Sequence, residues 1–260
     1  MAKLIDKFWN WGHLEGSHNS CTGLDCSMTP EEFAEEYGIR NSFIVSYGGN
    51  IQPPFDGLAK RLSGLREIKW SVLGDASSPL PESELGNTDD ILAALTDGTN
   101  ITGAVVDDFF SPERMKRFTP EVLKKIKAAL NANGLDFWCV LYEFQLDLEL
   151  ERYMECFDGI TFWVWHSENI PQFADYVEKV KKLAGDKPVM TGIYLWDWAH
   201  KVTVPMKPEL FEMQLKKSIG YVTEGVTDGI VICSSTIGDA KLKTNSILKR
   251  YIREYGNTEL

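Results

Sequence analysis

Short apolar runs rich in β-branched and aromatic residues recur along the chain, separated by stretches whose apolar residues fall at helical spacing. The runs predict eight strands, at about 7–13, 42–47, 67–73, 101–107, 136–142, 159–165, 188–196 and 228–234. Helix signals lie between them. Thr29-Pro30-Glu31-Glu32 is a capping box with proline at the first helical position, opening a helix through Tyr37. Asp56 precedes a short helix through Leu65, and Thr88 with Asp89 and Asp90 opens another through Leu95. Thr119-Pro120-Glu121 begins an amphipathic helix through Asn131, stopped by Gly134; further helical patterns cover about 147–155, 169–184, 208–223 and 241–254.

Strands of this length alternating with helices imply parallel pairing, because a parallel neighbour needs a crossover. Eight such units in 260 residues predict an α/β fold, a (β/α)8 TIM barrel forming one domain over 1–260. An open doubly wound sheet is the alternative, but no glycine-rich turn of the dinucleotide or phosphate-loop type follows any strand. No Pro-rich linker, low-complexity segment or repeat beyond the βα alternation divides the chain.

A barrel places its chemistry at the C-terminal ends of its strands, so the residues closing each apolar run matter most. There the sequence sets His13 and Glu15, Tyr47, Asp75, Asp107 and Asp108, Tyr142 and Glu143, Trp165 and His166, Trp196 and Asp197, and Ser234 with Ser235. A carboxylate after a strand often does no more than cap a helix or bind loop amides, and Asp75 is expected to do only that. The doublet Asp107-Asp108 is harder to explain so, since two acids end a buried, β-branched run. Strand alternation turns one of them toward the barrel axis and the other toward the flanking loop; which is which stays open. Glu15, Glu143 and Asp197 are the candidates for a second catalytic carboxylate. Glycoside hydrolysis requires such a pair, one acid protonating the leaving oxygen while a carboxylate attacks or activates water.

Composition narrows the partners. A net charge of −11, from 38 acidic and 27 basic residues, argues against nucleic acid and anionic membrane surfaces. The 8 tryptophans gather near strand ends, which suits stacking on the apolar face of a sugar ring. Of Trp163, Trp165, Trp196 and Trp198, one member of each pair is expected to face a substrate. His13, His18, Tyr47, Tyr142 and His166 are further candidates for binding substrate hydroxyls, whereas His200 beside Lys201 reads as solvated. A carbohydrate is therefore the expected partner, with no cofactor required. His13, Glu15 and His18 in the Asn10–Asn19 segment leave a metal-dependent sugar-processing enzyme as a second reading, although two glycines there argue for a loop. A barrel that binds sugar without cleaving it is the third.

No apolar stretch reaches the length of a membrane span, and the first residues lack the apolar core of a signal peptide. A cytoplasmic location is the default expectation, with export after removal of a signal left open. The 5 cysteines are odd in number and mostly embedded in apolar runs, which favours reduced core thiols; Cys21 and Cys26, in a loop, are placed to pair or to touch a ligand.

With these segments in view, the chain resembles the (β/α)8 glycoside hydrolases. The run Gly103-Ala-Val-Val-Asp-Asp-Phe-Phe110 looks like the fourth-strand segment that carries their catalytic carboxylate. The chain is also similar to a group of bacterial TIM-barrel proteins bearing the same Trp11–Asn19, Val105–Phe110, Thr161–Trp165 and Tyr194–Asp197 segments, a group that lends no activity. The resemblance implies a carbohydrate-active hydrolase, but the motifs depart from the commonest patterns. Where many barrel glycosidases carry Asn-Glu after strand four and Glu after strand seven, this chain has Asp107-Asp108 and Asp197. In a chitinase-like acid series Phe109 stands in the place of the acid. Families with an Asp acid on strand six are not matched either, because strand six ends in Trp165-His166.

Overall fold

The eight apolar runs close into one parallel barrel. A computed structural model describes residues 1–96, 98–199 and 203–260; His200 and Lys201 lie outside the described residues. The barrel strands are β1 (Phe8–Gly12), β2 (Asn41–Ile44), β3 (Glu67–Ser71), β4 (Ile101–Val106), β5 (Asp136–Tyr142), β6 (Gly159–Trp163), β7 (Val189–Tyr194) and β8 (Gly229–Cys233). Each pairs in parallel with its neighbours in sequence, and β8 closes on β1 through Phe8–Ile230 to Trp11–Cys233. The (β/α)8 expectation therefore holds. Among the described residues no helix is long and apolar enough to cross a membrane.

The long helices follow their sequence signals. Thr29 Oγ1 accepts from the Glu32 amide while the Glu32 carboxylate accepts from the Thr29 amide, the reciprocal box that opens Pro30–Tyr37. Pro120–Asn131, Phe173–Ala184, Pro208–Thr223 and Lys243–Tyr255 each turn an apolar stripe onto the barrel. The expected helix at 147–155 is reduced to one turn, Glu151–Met154, because only Leu150 and Met154 find a buried surface while Leu148 stays exposed. A helix at Pro112–Arg117, capped by Ser111, was not marked by the sequence pattern.

Two differences shape the rim. β7 stops at Tyr194 instead of running through Trp196, and Trp196–Asp197 then pairs antiparallel with Val204–Pro205. The chain thereby leaves the barrel wall before its last aromatic and acidic residues. The five cysteines are free thiols; Cys26, Cys139, Cys156 and Cys233 are buried and Cys21 is exposed, so Cys21 and Cys26 do not pair.

Inside the barrel, bulk on one strand is matched by its absence on the next. Trp138 on β5 stands in register with Gly159, and Trp163 on β6 with Gly192. A Cβ at position 192 would lie 2.0 Å from the Trp163 indole, and one at 159 would lie 2.6 Å from that of Trp138. Lower in the barrel, Lys69 is 3% exposed; its ammonium donates to both oxygens of Asp136 at 2.6 and 2.7 Å and lies over the rings of Trp9 and Trp138. Gly103 leaves the space that the Asp136 carboxylate occupies.

Candidate functional site

Successive inward positions on a strand are two residues apart, so each barrel strand carries a file of side chains up to the mouth. Trp9 and Trp11 on β1 lead to His13, Trp138 and Val140 on β5 to Tyr142, and Trp163 on β6 to Trp165. These files end at a cavity of about 350 Å³ at the C-terminal mouth of the barrel. Two groups of rings line it. In one, Trp11, Trp163, Tyr194, Trp165 and Tyr142 follow one another at centroid separations of 5.3, 4.9, 5.8 and 5.6 Å. In the other, His18 packs against His13, Tyr47 and Trp198 at 4.9, 4.8 and 4.6 Å. Asp75, Asp107 and Asp108 supply the carboxylates of the lining, which among the described residues contains no lysine or arginine.

Both members of the aspartate doublet line this cavity, which alternation alone did not predict. Asp107 keeps the inward phase of Gly103 and Val105. Asp108 should then point outward, but its φ of 46° breaks the strand and turns it back. Its carboxylate accepts from the Tyr142 hydroxyl at 2.7 Å and from the Ala76 amide at 2.9 Å, joining β5 and the loop after β3 to the end of β4. Asp107 is 5% exposed. One of its oxygens accepts the Asp108 amide at 2.8 Å; the other has no hydrogen-bond partner among the described residues. Burial raises its carboxyl well above the usual range, the negative charges of Asp108 and Asp75 add to that, and Arg114 opposes it. The Arg114 guanidinium lies behind the site and donates to the backbone carbonyls of Gly74, Asp75 and Asp107. It thereby fixes the loops after β3 and β4 against each other.

Asp75 is held by the loops: it accepts from the Gly48 amide at 3.0 Å and from the hydroxyls of Ser77 and Ser78, both at 2.6 Å. The histidines are a neutral pair. His13 Nδ1 lies 2.8 Å from the Val45 carbonyl, which can only accept, so the proton sits on Nδ1 and Nε2 carries a lone pair. Burial lowers the pKa of His13, and that of His18 falls to about 2, again through burial with help from His13. His18 Nδ1 meets the hydroxyls of Thr236 and Ser234 at 2.7 and 3.2 Å.

Several expected site residues lie elsewhere. Glu15 is exposed and pairs with Arg61 at 3.4 Å. Glu143, one residue out of phase with the inward-facing Tyr142, is buried under the loop after β6. Its carboxylate accepts from the amides of Trp165 and His166 at 2.7 and 3.0 Å and meets His166 Nδ1 at 2.7 Å. Neither Glu143 nor His166 lines the cavity. Asp197 left the wall with the early end of β7; it accepts from the Ser167 hydroxyl at 2.5 Å and from the Ala199 amide at 3.3 Å. Trp196 is buried away from the cavity while Trp198 lines it. Trp163 and Trp165 both line it, since residues two apart share a strand face, so the expectation that one packs outward is corrected. The metal reading loses its geometry, with Glu15 turned away from His13 and His18. No group of three or more His, Cys, Asp or Glu among the described residues is placed to hold an ion. Trp11 and Tyr194 line the cavity without having been singled out as site residues, while Trp198 and Cys21, expected to face a substrate and to touch a ligand, line it as well; counting inward positions back from His13 would have found Trp11.

The sequence matches no family model and no curated protein. Solved structures do match in fold. A family 18 glycoside hydrolase, a chitinase from Pseudoalteromonas aurantia, is 12% identical over 95% of this chain and 99% of its own, with a TM-score of 0.63. A family 113 β-1,4-mannanase is 10% identical over the full length of both chains, with a TM-score of 0.61. A third, in a tryptophan synthase complex from Pyrococcus furiosus, is 12% identical over 98% of this chain and 99% of its own, with a TM-score of 0.55. The chain is thus a TIM barrel, and at this level of identity the likeness concerns the barrel itself.

Proposed function

We propose that the protein is a carbohydrate-active hydrolase whose catalytic carboxyls are Asp107 and Asp108. The observation that carries this reading is the pairing of two aspartates with different surroundings in one aromatic-walled cavity. Asp107, whose burial raises its carboxyl well above the usual range and whose second oxygen has no partner among the described residues, is suited to protonate a leaving glycosidic oxygen. Asp108, served by Tyr142 and the Ala76 amide, is suited to stabilise positive charge developing at the anomeric carbon or to activate water. The rings of Trp163 and Trp165 offer platforms for the sugar, and His13 Nε2 an acceptor for a hydroxyl. The glycoside hydrolases among the fold neighbours support the reading. Glu15, Glu143 and Asp197 are not needed in it.

Asp107→Asn and Asp108→Asn, each assayed on a panel of oligosaccharides, should lower turnover by about 10²–10⁴-fold with the fold retained, the range expected for loss of a general acid or base. Full activity in both variants would refute the assignment. A barrel that binds sugar without cleaving it draws on one observation: Asp107 and Asp108 come from a single strand end, whereas hydrolases commonly recruit their catalytic carboxyls from different strands. Glycan binding with no product after prolonged incubation would decide for that reading.

A further inference from the structure

Much of the hydroxyl donor capacity in the cavity is already spent within the protein. Several lining hydroxyls already donate within the protein: Tyr142 to Asp108 at 2.7 Å, Ser77 to Asp75 at 2.6 Å, Thr203 to the Cys21 carbonyl at 3.0 Å, and Tyr47 to Cys21 Sγ at 3.6 Å. The Trp163 indole N–H is likewise engaged, by Thr161 at 3.1 Å. Capacity to spare remains on both sides: the indole N–H groups of Trp11, Trp165 and Trp198 have no acceptor among the described residues, and several acceptors lack a donor. His13, 4% exposed, lines the cavity and leaves Nε2, an acceptor, without a partner among the described residues; Asp107, 5% exposed, leaves its second carboxyl oxygen without one, as a donor when the carboxyl is protonated. The carboxylate of Asp108 has two donors for roughly four lone-pair positions. A neutral sugar brings hydroxyls that both donate and accept. The open positions on the Asp108 carboxylate and His13 Nε2 favour a ligand that brings donors to them.

Charge points the same way. The lining holds three aspartates and, among the described residues, no lysine or arginine. Arg114, the cation that opposes the raised carboxyl of Asp107, is 4% exposed and turned to backbone carbonyls behind the site. The five rings from Trp11 round to Tyr142 line the cavity, and an aromatic π face attracts a cation and not an anion. Uronic acids and sugar phosphates or sulfates would meet repulsion without a partner.

We infer that the sugar bound in this cavity is an amino sugar with a free, protonated amine, a hexosaminide lacking its acetyl group, whose ammonium is held by Asp108 and the surrounding rings. An ammonium supplies three donors and no acceptor, which suits the open positions on the Asp108 carboxylate. Its ring carbons pack on Trp163 and Trp165 as those of any pyranose would. The inference rests on the glycoside-binding reading above and names its substrate class.

The test is calorimetric titration of the wild-type protein, at mildly acidic pH, with the methyl glycosides of glucosamine and galactosamine, their N-acetyl derivatives, and the parent hexosides. The free-amine glycosides should bind at least about tenfold tighter than either neutral set, a difference of about 1.4 kcal/mol, and added salt should shrink the preference. In Asp108→Asn the preference should vanish. Equal or tighter binding of the acetylated or parent glycosides would overturn the inference while leaving a sugar site in place. A preference undiminished in Asp108→Asn would overturn the assignment of the ammonium to that residue. Binding of no glycoside of any kind would remove the glycoside reading and this inference with it. The wild-type comparison decides the substrate class even if the variant fails to fold.

Discussion

Replacing Asp136 by Asn strands the Lys69 ammonium inside the barrel. Lys69 is 3% exposed and takes both oxygens of Asp136 at under 3 Å, so the substitution removes the counter-charge and turns an amide N–H₂ toward the cation. Removing one partner of a buried pair costs about 3–5 kcal/mol. Asp136 is itself 39% exposed, so water can replace part of what it supplied, and about 2–4 kcal/mol is the better expectation. The contacts of Lys69 with Trp9 and Trp138, at 5.3 and 5.1 Å, remain in both proteins and cancel. With an unfolding entropy of about 2 cal/mol/K per residue over 260 residues, each kcal/mol moves Tm by about 2 °C, giving a loss of about 4–8 °C. Lys69→Met removes the charge but keeps the unbranched bulk, and it leaves an acid that water can reach; its cost should be about 1 kcal/mol or less. Urea denaturation followed by tryptophan fluorescence measures both, and the double variant should lie close to Lys69→Met. A loss below about 1 kcal/mol in Asp136→Asn, or a larger loss in Lys69→Met, would refute the reasoning.

Further outcomes follow from the site. Because the folded-state pKa of Asp107 is raised, its contribution to stability is present at acid pH and is lost as pH rises through that value; Asp107→Asn should therefore be more stable than wild type at neutral pH in urea denaturation, with the difference closing on acidification. The histidines act in the opposite sense: their depressed pKa values contribute stability above about 6.5 that is lost as pH falls toward about 2, so His18→Asn should flatten the acid side of a stability-versus-pH curve. Gly192→Ala drives a methyl into the Trp163 indole and should cost about 1–3 kcal/mol while weakening sugar binding, as read by melting and titration. Arg114→Met leaves three carbonyls unserved and should lower stability by about 2–4 kcal/mol, with a fall in turnover that conservative Arg114→Lys only partly restores.

The barrel was legible because its signal is periodic and repeated: eight apolar runs, each separated by a crossover, leave few other architectures. The rim was less legible because it depends on where each strand stops. A two-residue shift at the end of β7 moved Trp196 and Asp197 off the wall and put Tyr194 there instead. A one-residue phase difference at the end of β5 sent Tyr142 into the cavity and Glu143 under a loop. Asp107 follows from the alternation along β4, but Asp108 reaches the cavity only through a left-handed backbone conformation that no hydrophobic pattern encodes. Glu15 failed for a third reason, since it sits in a loop whose nearest cation, Arg61, belongs to another element.

The tryptophan–glycine register pairs have a consequence for how this site varies over evolutionary time. An indole at 163 fits only while 192 carries no side chain, and the same bond of necessity joins 138 to 159. Each pair should therefore mutate jointly, with a smaller residue on one strand releasing its glycine on the next. Among diverged relatives, retention of both glycines would mark the chains that keep this aromatic lining, and their loss would mark a pocket reshaped for another guest.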